Sequence, residues 1–254
     1  MKLKSETKIP QYTLPDFAKD YEEGVIAISS GYKGGCGKSM FIKTVIEYKR
    51  YQKTGNLILV EGDRDNPDVA RQYRRLVETD FAVFTENDEQ QSKADGIITH
   101  ACEGKFVVVN QPAQVGAAQE KWLFEDNLYE LFEEESIPVI MFFVSNGMYD
   151  SNKLFFSSVK KYGDIMHTVF VANKGLHSDF SPLYEDEEFR AIIDEYQIPV
   201  MELGKLGHKE NNYLDTTQMA FSEGLQSDEL TIVSKQRIKN FLKKAFSEFE
   251  KIGL

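Results

Sequence analysis

The chain has 254 residues, of which 41% are hydrophobic and 28% charged, and its formal net charge is −11 at pH 7. This composition supplies enough apolar residues for one large core, and we predict a single domain over 1–254. The negative charge disfavours broad attraction to DNA phosphates, and no apolar run is long enough to span a bilayer, which argues against membrane contact.

Residues 1–20 form a polar lead-in that lacks the apolar region of a signal peptide. The two cysteines, Cys36 and Cys102, have a spacing that fits neither a disulfide framework nor a zinc site. Both observations favour a reducing compartment, and we expect a cytoplasmic protein.

A glycine-rich loop at 31–39 follows an apolar strand predicted at 25–29 and precedes a helix predicted at 40–51. Its glycines allow backbone torsions that a Cβ would hinder, so successive N–H groups can surround phosphate oxygens. Lys38 suits the β- and γ-phosphates, and the Ser39 hydroxyl suits Mg²⁺. The residues predicted to bind the nucleotide in this loop are Gly34, Gly35, Cys36, Gly37, Lys38, Ser39 and Met40. The segment therefore predicts binding of a nucleoside triphosphate with Mg²⁺.

Residues 33–39, Lys-Gly-Gly-Cys-Gly-Lys-Ser, resemble the deviant Walker A motif of the ParA/MinD ATPases. In that family the early lysine crosses a dimer interface and contacts the phosphates held by the facing subunit. The resemblance therefore implies an ATP-dependent homodimer with Lys33 and Lys38 as catalytic residues, Lys33 adding positive charge to the partner's site. The alternative is that Lys33 is an exposed lysine without a function.

The second family motif is expected after the next predicted strand, where Glu61 and Asp63 stand in the place of Asp-x-Asp. The resemblance implies that Asp63 orients the attacking water and contributes to the metal site. A helix is predicted to begin near Pro67, and capping of that helix is the favoured role for Asp65 and Asp68.

The third motif departs from the family pattern. A strand predicted at 106–110 ends at Asn110, where the family typically has the Walker B aspartate. An amide can accept a hydrogen bond from a metal-bound water, but it supplies no negative charge. Two consequences stay open: Asp63 carries the metal shell and hydrolysis persists, or hydrolysis is slow and the protein is mainly a nucleotide-dependent binding switch.

The fourth motif concerns the base. Asn173 follows a strand predicted at 167–172 and is a candidate for contacting the adenine edge. The Asn-Lys-x-Asp motif of translation-type GTPases is incomplete here, because Leu176 stands in place of its aspartate. We therefore predict ATP as the ligand in preference to GTP. The alternative for Asn173 is a turn residue at the end of the strand.

Strand and helix patterns alternate along the chain. Strands are predicted at 25–29, 57–61, 81–84, 106–110, 139–144, 167–172 and 198–202. This alternation predicts an α/β fold with a mainly parallel, doubly wound sheet and helices on both faces, the fold of P-loop NTPases with the deviant Walker A motif. Ligands of such sheets bind at the carboxyl ends of the strands, where all four motifs fall.

A C-terminal amphipathic helix is predicted over 228–252, and residues 234–244 within it form a basic patch. The favoured interpretation is a helix that packs on the sheet with its charges in solvent. The alternatives are a DNA-contacting face and a membrane-surface helix, and both are weakened by Glu248 and Glu250.

The segments 60–68 and 111–114 resemble those of plasmid-encoded ParA-like ATPases linked to conjugal transfer and plasmid stability. The resemblance implies a role in plasmid partition, stability or conjugal mobilisation, with a DNA-binding adaptor or relaxosome protein as partner. Direct DNA contact is not favoured by the charge. A small-molecule ATP-dependent ligase of the dethiobiotin synthetase type is an alternative, because it shares the fold and the loop.

Overall fold

The computed structural model of the chain describes residues 9–16, 24–31 and 34–254. A seven-stranded sheet forms its centre. The strands are β1 (Val25–Ser30), β2 (Leu57–Glu61), β3 (Glu78–Phe81), β4 (Phe106–Asn110), β5 (Val139–Ser145), β6 (His167–Asn173) and β7 (Val200–Leu203). All neighbouring strands are parallel, in the order β3-β2-β4-β1-β5-β6-β7. The predicted parallel, doubly wound sheet is confirmed.

Helices cover both faces of the sheet. They are α1 (Lys38–Tyr51), α2 (Asp68–Tyr73), α3 (Gly96–Cys102), α4 (Gly116–Phe124), α5 (Glu130–Glu134), α6 (Tyr149–Tyr162), α7 (Ser181–Tyr184), α8 (Glu187–Glu195), α9 (His208–Thr217), α10 (Phe221–Gln226) and α11 (Ile232–Ile252). Successive side chains of a strand point to opposite faces, so Val25 and Ala27 pack with α1 and α11. Ile26 and Ile28 pack with α3 and α4 on the other face.

The edge strand β3 lies three residues before the predicted position, at Glu78–Phe81 where 81–84 was expected. The apolar residues that suggested a strand leave the sheet after Phe81. Ala82 is buried, and the ring of Phe84 lies 5.7 Å from that of Trp122. The prediction was wrong because a solvated edge strand does not require an apolar run, whereas the segment that packs under the sheet does.

Helix α11 begins at Ile232 and not at residue 228, because the Thr231 side chain accepts a hydrogen bond from the Ser234 amide over 3.2 Å and caps the helix. Its buried apolar residues are Ile238, Phe241, Leu242, Ala245, Phe249 and Ile252. The Phe249 ring lies 5.1 and 5.8 Å from two aromatic rings of α1. The apolar face of α11 is thus part of the core. Within the described part of the chain, no helix has the length and apolarity needed to cross a membrane.

Candidate functional site

The glycine-rich loop joins the carboxyl end of β1 to the first turn of α1. Gly35 and Gly37 have φ angles of +79° and +99°, a conformation that residues with a Cβ rarely adopt. Gly37 is the N-cap residue of α1, and its carbonyl accepts a hydrogen bond from the Phe41 amide over 2.9 Å. The loop therefore presents the N-terminus of a 14-residue helix at the edge of the sheet where ligands bind.

Lys38 is only 7% exposed, and its Nζ donates a hydrogen bond to the Gly31 carbonyl over 2.8 Å. Burial lowers the pKa of Lys38, and the charges of Cys36 and Asp63 act in the opposite direction. A buried ammonium group whose hydrogen-bond partner in the described part of the chain is a neutral carbonyl is poised to accept an anionic ligand. The structure thus supplies a positive charge at the centre of the loop.

The other residues predicted in the loop lie around Lys38. Gly34 and Gly35 are exposed, Cys36 is buried, and Ser39 and Met40 are half-buried on the first turn of α1. The predicted trans-acting lysine, Lys33, lies outside the described residues.

Glu61 and Asn110 lie opposite each other on β2 and β4. Glu61 is fully buried and Asn110 is 1% exposed. The Asn110 amide Nδ2 donates a hydrogen bond to Oε1 of Glu61 over 2.7 Å. Among the described residues, Oδ1 of Asn110 has no hydrogen-bond partner although it is buried. The Walker B position therefore holds an unpaired acceptor beside a buried carboxylate.

The Glu61 carboxylate also holds the segment that follows β2. Its Oε1 accepts a hydrogen bond from the Asp63 amide over 3.0 Å, and its Oε2 accepts one from the Ala70 amide over 3.1 Å. Burial raises the pKa of Glu61 to about 7, although the hydrogen bonds from Asn110, Ala70 and Asp63 oppose the increase. One carboxylate thus connects the third motif, the loop after β2 and helix α2.

Asp63 is half-buried, and its Oδ1 accepts a hydrogen bond from the Asn66 amide over 3.0 Å. The predicted capping of α2 by Asp65 or Asp68 is wrong, because the N-cap residue is Pro67 and no side chain caps this helix. Asp68 is the first residue of α2 and forms an ion pair with Lys43 of α1 over 3.0 Å. The carboxylate of Asp68, which the local sequence pattern assigned to the helix cap, forms a tertiary ion pair instead.

Asn173 lies at the end of β6 and is 4% exposed. Its Nδ2 donates a hydrogen bond to the Cys36 carbonyl over 2.8 Å, and its Oδ1 accepts one from the Gly175 amide over 3.0 Å. A Cβ at Gly37 would lie 2.2 Å from Nδ2 of Asn173. Asn173 therefore supports the glycine-rich loop from behind through Nδ2, while its Oδ1 holds the turn after β6.

Sequence reasoning missed a polar cluster that joins α1 to α2 and α9. Lys43 contacts Asp68 and also Asp215 over 3.2 Å, and Gln72 donates a hydrogen bond to Asp215 over 2.8 Å. One signal was available, because Lys43 and Glu47 are four residues apart and share a helix face with apolar residues. No local sequence pattern predicts the contacts of Asp215, because they arise from tertiary packing.

Cavities lie at both ends of the sheet. One of about 300 Å³ adjoins the glycine-rich loop between α4 and α6, with Gly31, Gln111 and Phe143 in its wall. Another of about 660 Å³ lies at the opposite end and is lined by residues that include Val25 and Val139. Because ligands of doubly wound sheets bind at the carboxyl ends of the strands, the smaller cavity is the one next to the candidate site.

Comparison with known proteins places this geometry among related folds. No family model matches the chain. The chain is 27% identical to Protein MobD of Acidithiobacillus ferrooxidans over 180 residues, which cover 67% of this chain and 73% of that protein.

Among solved structures, the MinD cell division protein of Aquifex aeolicus matches with a TM-score of 0.52 and 11% identity, over 89% of this chain and 97% of that chain. A nucleotide-binding protein of Archaeoglobus fulgidus, solved in complex with ADP, matches with a TM-score of 0.44 and 10% identity, over 77% of this chain and 88% of that chain. The MinD match confirms, at the level of the fold, the resemblance to ParA/MinD ATPases drawn from the sequence.

Proposed function

We propose that this chain binds ATP with Mg²⁺ at the glycine-rich loop and acts as a nucleotide-dependent dimerisation switch of the ParA/MinD type. The observation that carries the proposal is the loop, in which left-handed Gly35 and Gly37 and the buried Lys38 meet at a helix N-terminus. The MinD-like fold puts this loop at the ligand-binding edge of the sheet. Geometry and residue types both favour a phosphate ligand.

In this proposal the amides of 34–40 surround the phosphates, and Lys38 exchanges the Gly31 carbonyl for phosphate oxygens. A charge-assisted hydrogen bond then replaces a neutral one. The negative phosphates also favour the protonated form of Lys38, whose pKa is lowered by burial in the structure. Lys38→Ala should therefore abolish nucleotide binding, and an unchanged ATP affinity in that variant would contradict the site.

The residues at the site fit a magnesium ion. Ser39 and Asp63 would hold it, and the unpaired Oδ1 of Asn110 would accept a hydrogen bond from one of its water ligands. When bound, Mg²⁺ neutralises charge on the β- and γ-phosphates. The fit rests on Oδ1 of Asn110, because a buried acceptor without a partner is rare in proteins.

We propose that the protein hydrolyses ATP slowly or on stimulation by a partner, with Asp63 orienting the attacking water. The amide at Asn110 supplies no charge to the metal site, and this observation favours a second candidate, a nucleotide-dependent binding module with little hydrolysis. Phosphate release in a single turnover separates the two. Under the first candidate Asp63→Ala traps the ATP-bound form, whereas under the second candidate the wild-type protein already releases no phosphate.

We propose that the site binds ATP in preference to GTP. In the structure Asn173 donates one N–H to the Cys36 carbonyl and accepts from the Gly175 amide, so an adenine contact would use its second N–H or the second lone pair of Oδ1. Competition of ATP and GTP for the same site measures the preference. Equal affinities for ATP and GTP would contradict a role of the base in recognition.

We propose Lys33 as the residue that reaches the facing subunit, on the strength of its position in the motif. Light scattering would measure the solution mass with Mg²⁺ and a non-hydrolysable ATP analogue, and again with ADP. A dimer with the analogue alone is expected, and Lys33→Ala should bind the nucleotide yet stay monomeric. Lys239→Ala, which removes one exposed positive charge from α11, is the matched control.

The proposed cellular role is plasmid partition, stability or conjugal mobilisation, with a DNA-binding adaptor or relaxosome protein as the partner of the ATP-bound dimer. Support comes from the resemblance of the loops after β2 and β4 to the plasmid-encoded subgroup. The net charge of −11 favours a protein adaptor over direct contact with DNA. Co-purification from the host with the ATP analogue, compared with ADP, tests for such a partner.

A further inference from the structure

At the ends of two neighbouring strands the candidate metal site pairs a carboxylate with an amide, where the family pattern has two carboxylates. Asn110 occupies the Walker B position at the end of β4, and Glu61 lies opposite it at the end of β2. The two side chains share a hydrogen bond of 2.7 Å, and both are buried. One carboxylate and one amide therefore lie in contact at the carboxyl ends of β2 and β4.

The hydrogen bond fixes which end of the Asn110 amide faces the site. Oε1 of Glu61 accepts a hydrogen bond from the Asp63 amide as well as from Asn110, so this oxygen is an acceptor and the NH₂ group of Asn110 faces it. Oδ1 must then point away from Glu61, and it is buried without a partner among the described residues. If Glu61 were apolar, the amide would lose the partner that selects this orientation.

Glu61 also fixes the backbone that follows β2. Its two oxygens accept hydrogen bonds from the amides of Asp63 and Ala70. The Gly62 amide donates to the Asn110 carbonyl over 2.9 Å, so the two strand ends are joined by backbone as well as side chains. A change at Glu61 is therefore transmitted to Asn110, to the loop with Asp63, and to the start of α2.

We infer that Glu61 is a positioning residue. It orients Oδ1 of Asn110 toward the Mg²⁺ that accompanies the nucleotide, and it holds the loop after β2 in place beside Asn110. The inference rests on the proposed function, because it concerns the metal that accompanies ATP. Glu61 itself contacts neither ligand and acts through Asn110 and through the loop after β2. The part of its contribution that passes through Asn110 should therefore disappear when Asn110 can no longer accept a hydrogen bond, whereas the part that passes through the loop should remain.

The test compares affinities for a non-hydrolysable ATP analogue with Mg²⁺ and with EDTA, in wild type, Glu61→Met, Asn110→Leu and the double variant. Methionine keeps the length of Glu61 without an acceptor, and leucine keeps the size of Asn110 without one. Each single change should reduce the gain in affinity from Mg²⁺ by roughly tenfold to a hundredfold, as expected for loss of a charge-assisted hydrogen bond. The affinity in EDTA should change little, and the double variant should lose no more than Glu61→Met alone.

Two further variants serve as controls for this comparison. Glu47→Met removes another buried glutamate, which accepts hydrogen bonds from Tyr73 and Ser222, and should leave the Mg²⁺ gain intact. Glu61→Gln can still accept from Asn110 and should retain most of the gain. If Glu61→Met does not fold, a full Mg²⁺ gain in Asn110→Leu or a lost gain in Glu61→Gln still overturns the inference.

A full Mg²⁺ gain in Glu61→Met or Asn110→Leu would overturn the inference. Losses that simply add in the double variant would also overturn it, because Glu61 would then act independently of Asn110. If wild type itself does not bind the analogue, the proposed function fails, and the inference fails with it. That case is recognised from the wild-type measurement alone.

Discussion

Replacing Glu61 by glutamine should change how the stability of the protein depends on pH. The ordinary pKa of a glutamate is 4.5, and burial raises that of Glu61 to about 7 in the folded protein. Between these values the folded state keeps a proton that the unfolded state has released. The free energy of unfolding therefore falls as pH rises through this window, by about 1.4 kcal/mol for each pH unit. Above pH 7 the contribution is constant.

The full contribution is about 3 kcal/mol, from the separation between the two pKa values. Glu61→Gln has no titratable group at this position, so its stability relative to wild type should rise by about 3 kcal/mol from pH 4.5 to pH 7.5. Other ionisable groups, such as His167 with its lowered pKa, are common to both proteins and cancel in the difference.

Urea unfolding at a series of pH values would measure this difference. The single tryptophan, Trp122, is buried against the sheet and reports unfolding by fluorescence. Equal denaturant slopes for the two proteins would show that the comparison is between similar unfolded states. A difference that does not vary with pH would refute the reasoning, because Glu61 would then be ionised in the folded protein as readily as in water.

Three further changes test the loop and the C-terminal helix. Gly37→Ala should abolish nucleotide binding and destabilise the protein, because the residue has φ +99° and its Cβ would meet Asn173; Gly55→Ala, which meets open space, is the control for both measurements. Phe249→Ala should lower the free energy of unfolding by about 3 to 5 kcal/mol in urea, and a loss below 1 kcal/mol would contradict the packing of α11 in the core. Thr231→Ala should lower the free energy of unfolding by about 1 kcal/mol in urea, since it removes the capping oxygen.

The sheet was predictable because its buried strands are continuous apolar runs that alternate with helical patterns. The glycine-rich loop was predictable for a related reason, since its residues are adjacent in sequence and its geometry depends on their spacing. Three predictions were wrong, and besides the start of α11, which the cap at Thr231 sets, they fall where packing decides. At β3 an apolar segment leaves the sheet, and at α2 the carboxylate of Asp68 pairs with Lys43 of another helix.

The metal side of the site could be predicted only in part, because it depends on which strands are neighbours. Considered one at a time, Asn110 replaces an expected aspartate by an amide, and Glu61 replaces an expected aspartate by a longer carboxylate. The pairing of β2 with β4 brings the two changes into contact over 2.7 Å, and the amide of one donates to the carboxylate of the other. The consequence is that neither position can be judged separately. A chain with asparagine at the Walker B position should keep its metal-dependent affinity where the facing residue on β2 accepts a hydrogen bond, and lose it where that residue is apolar.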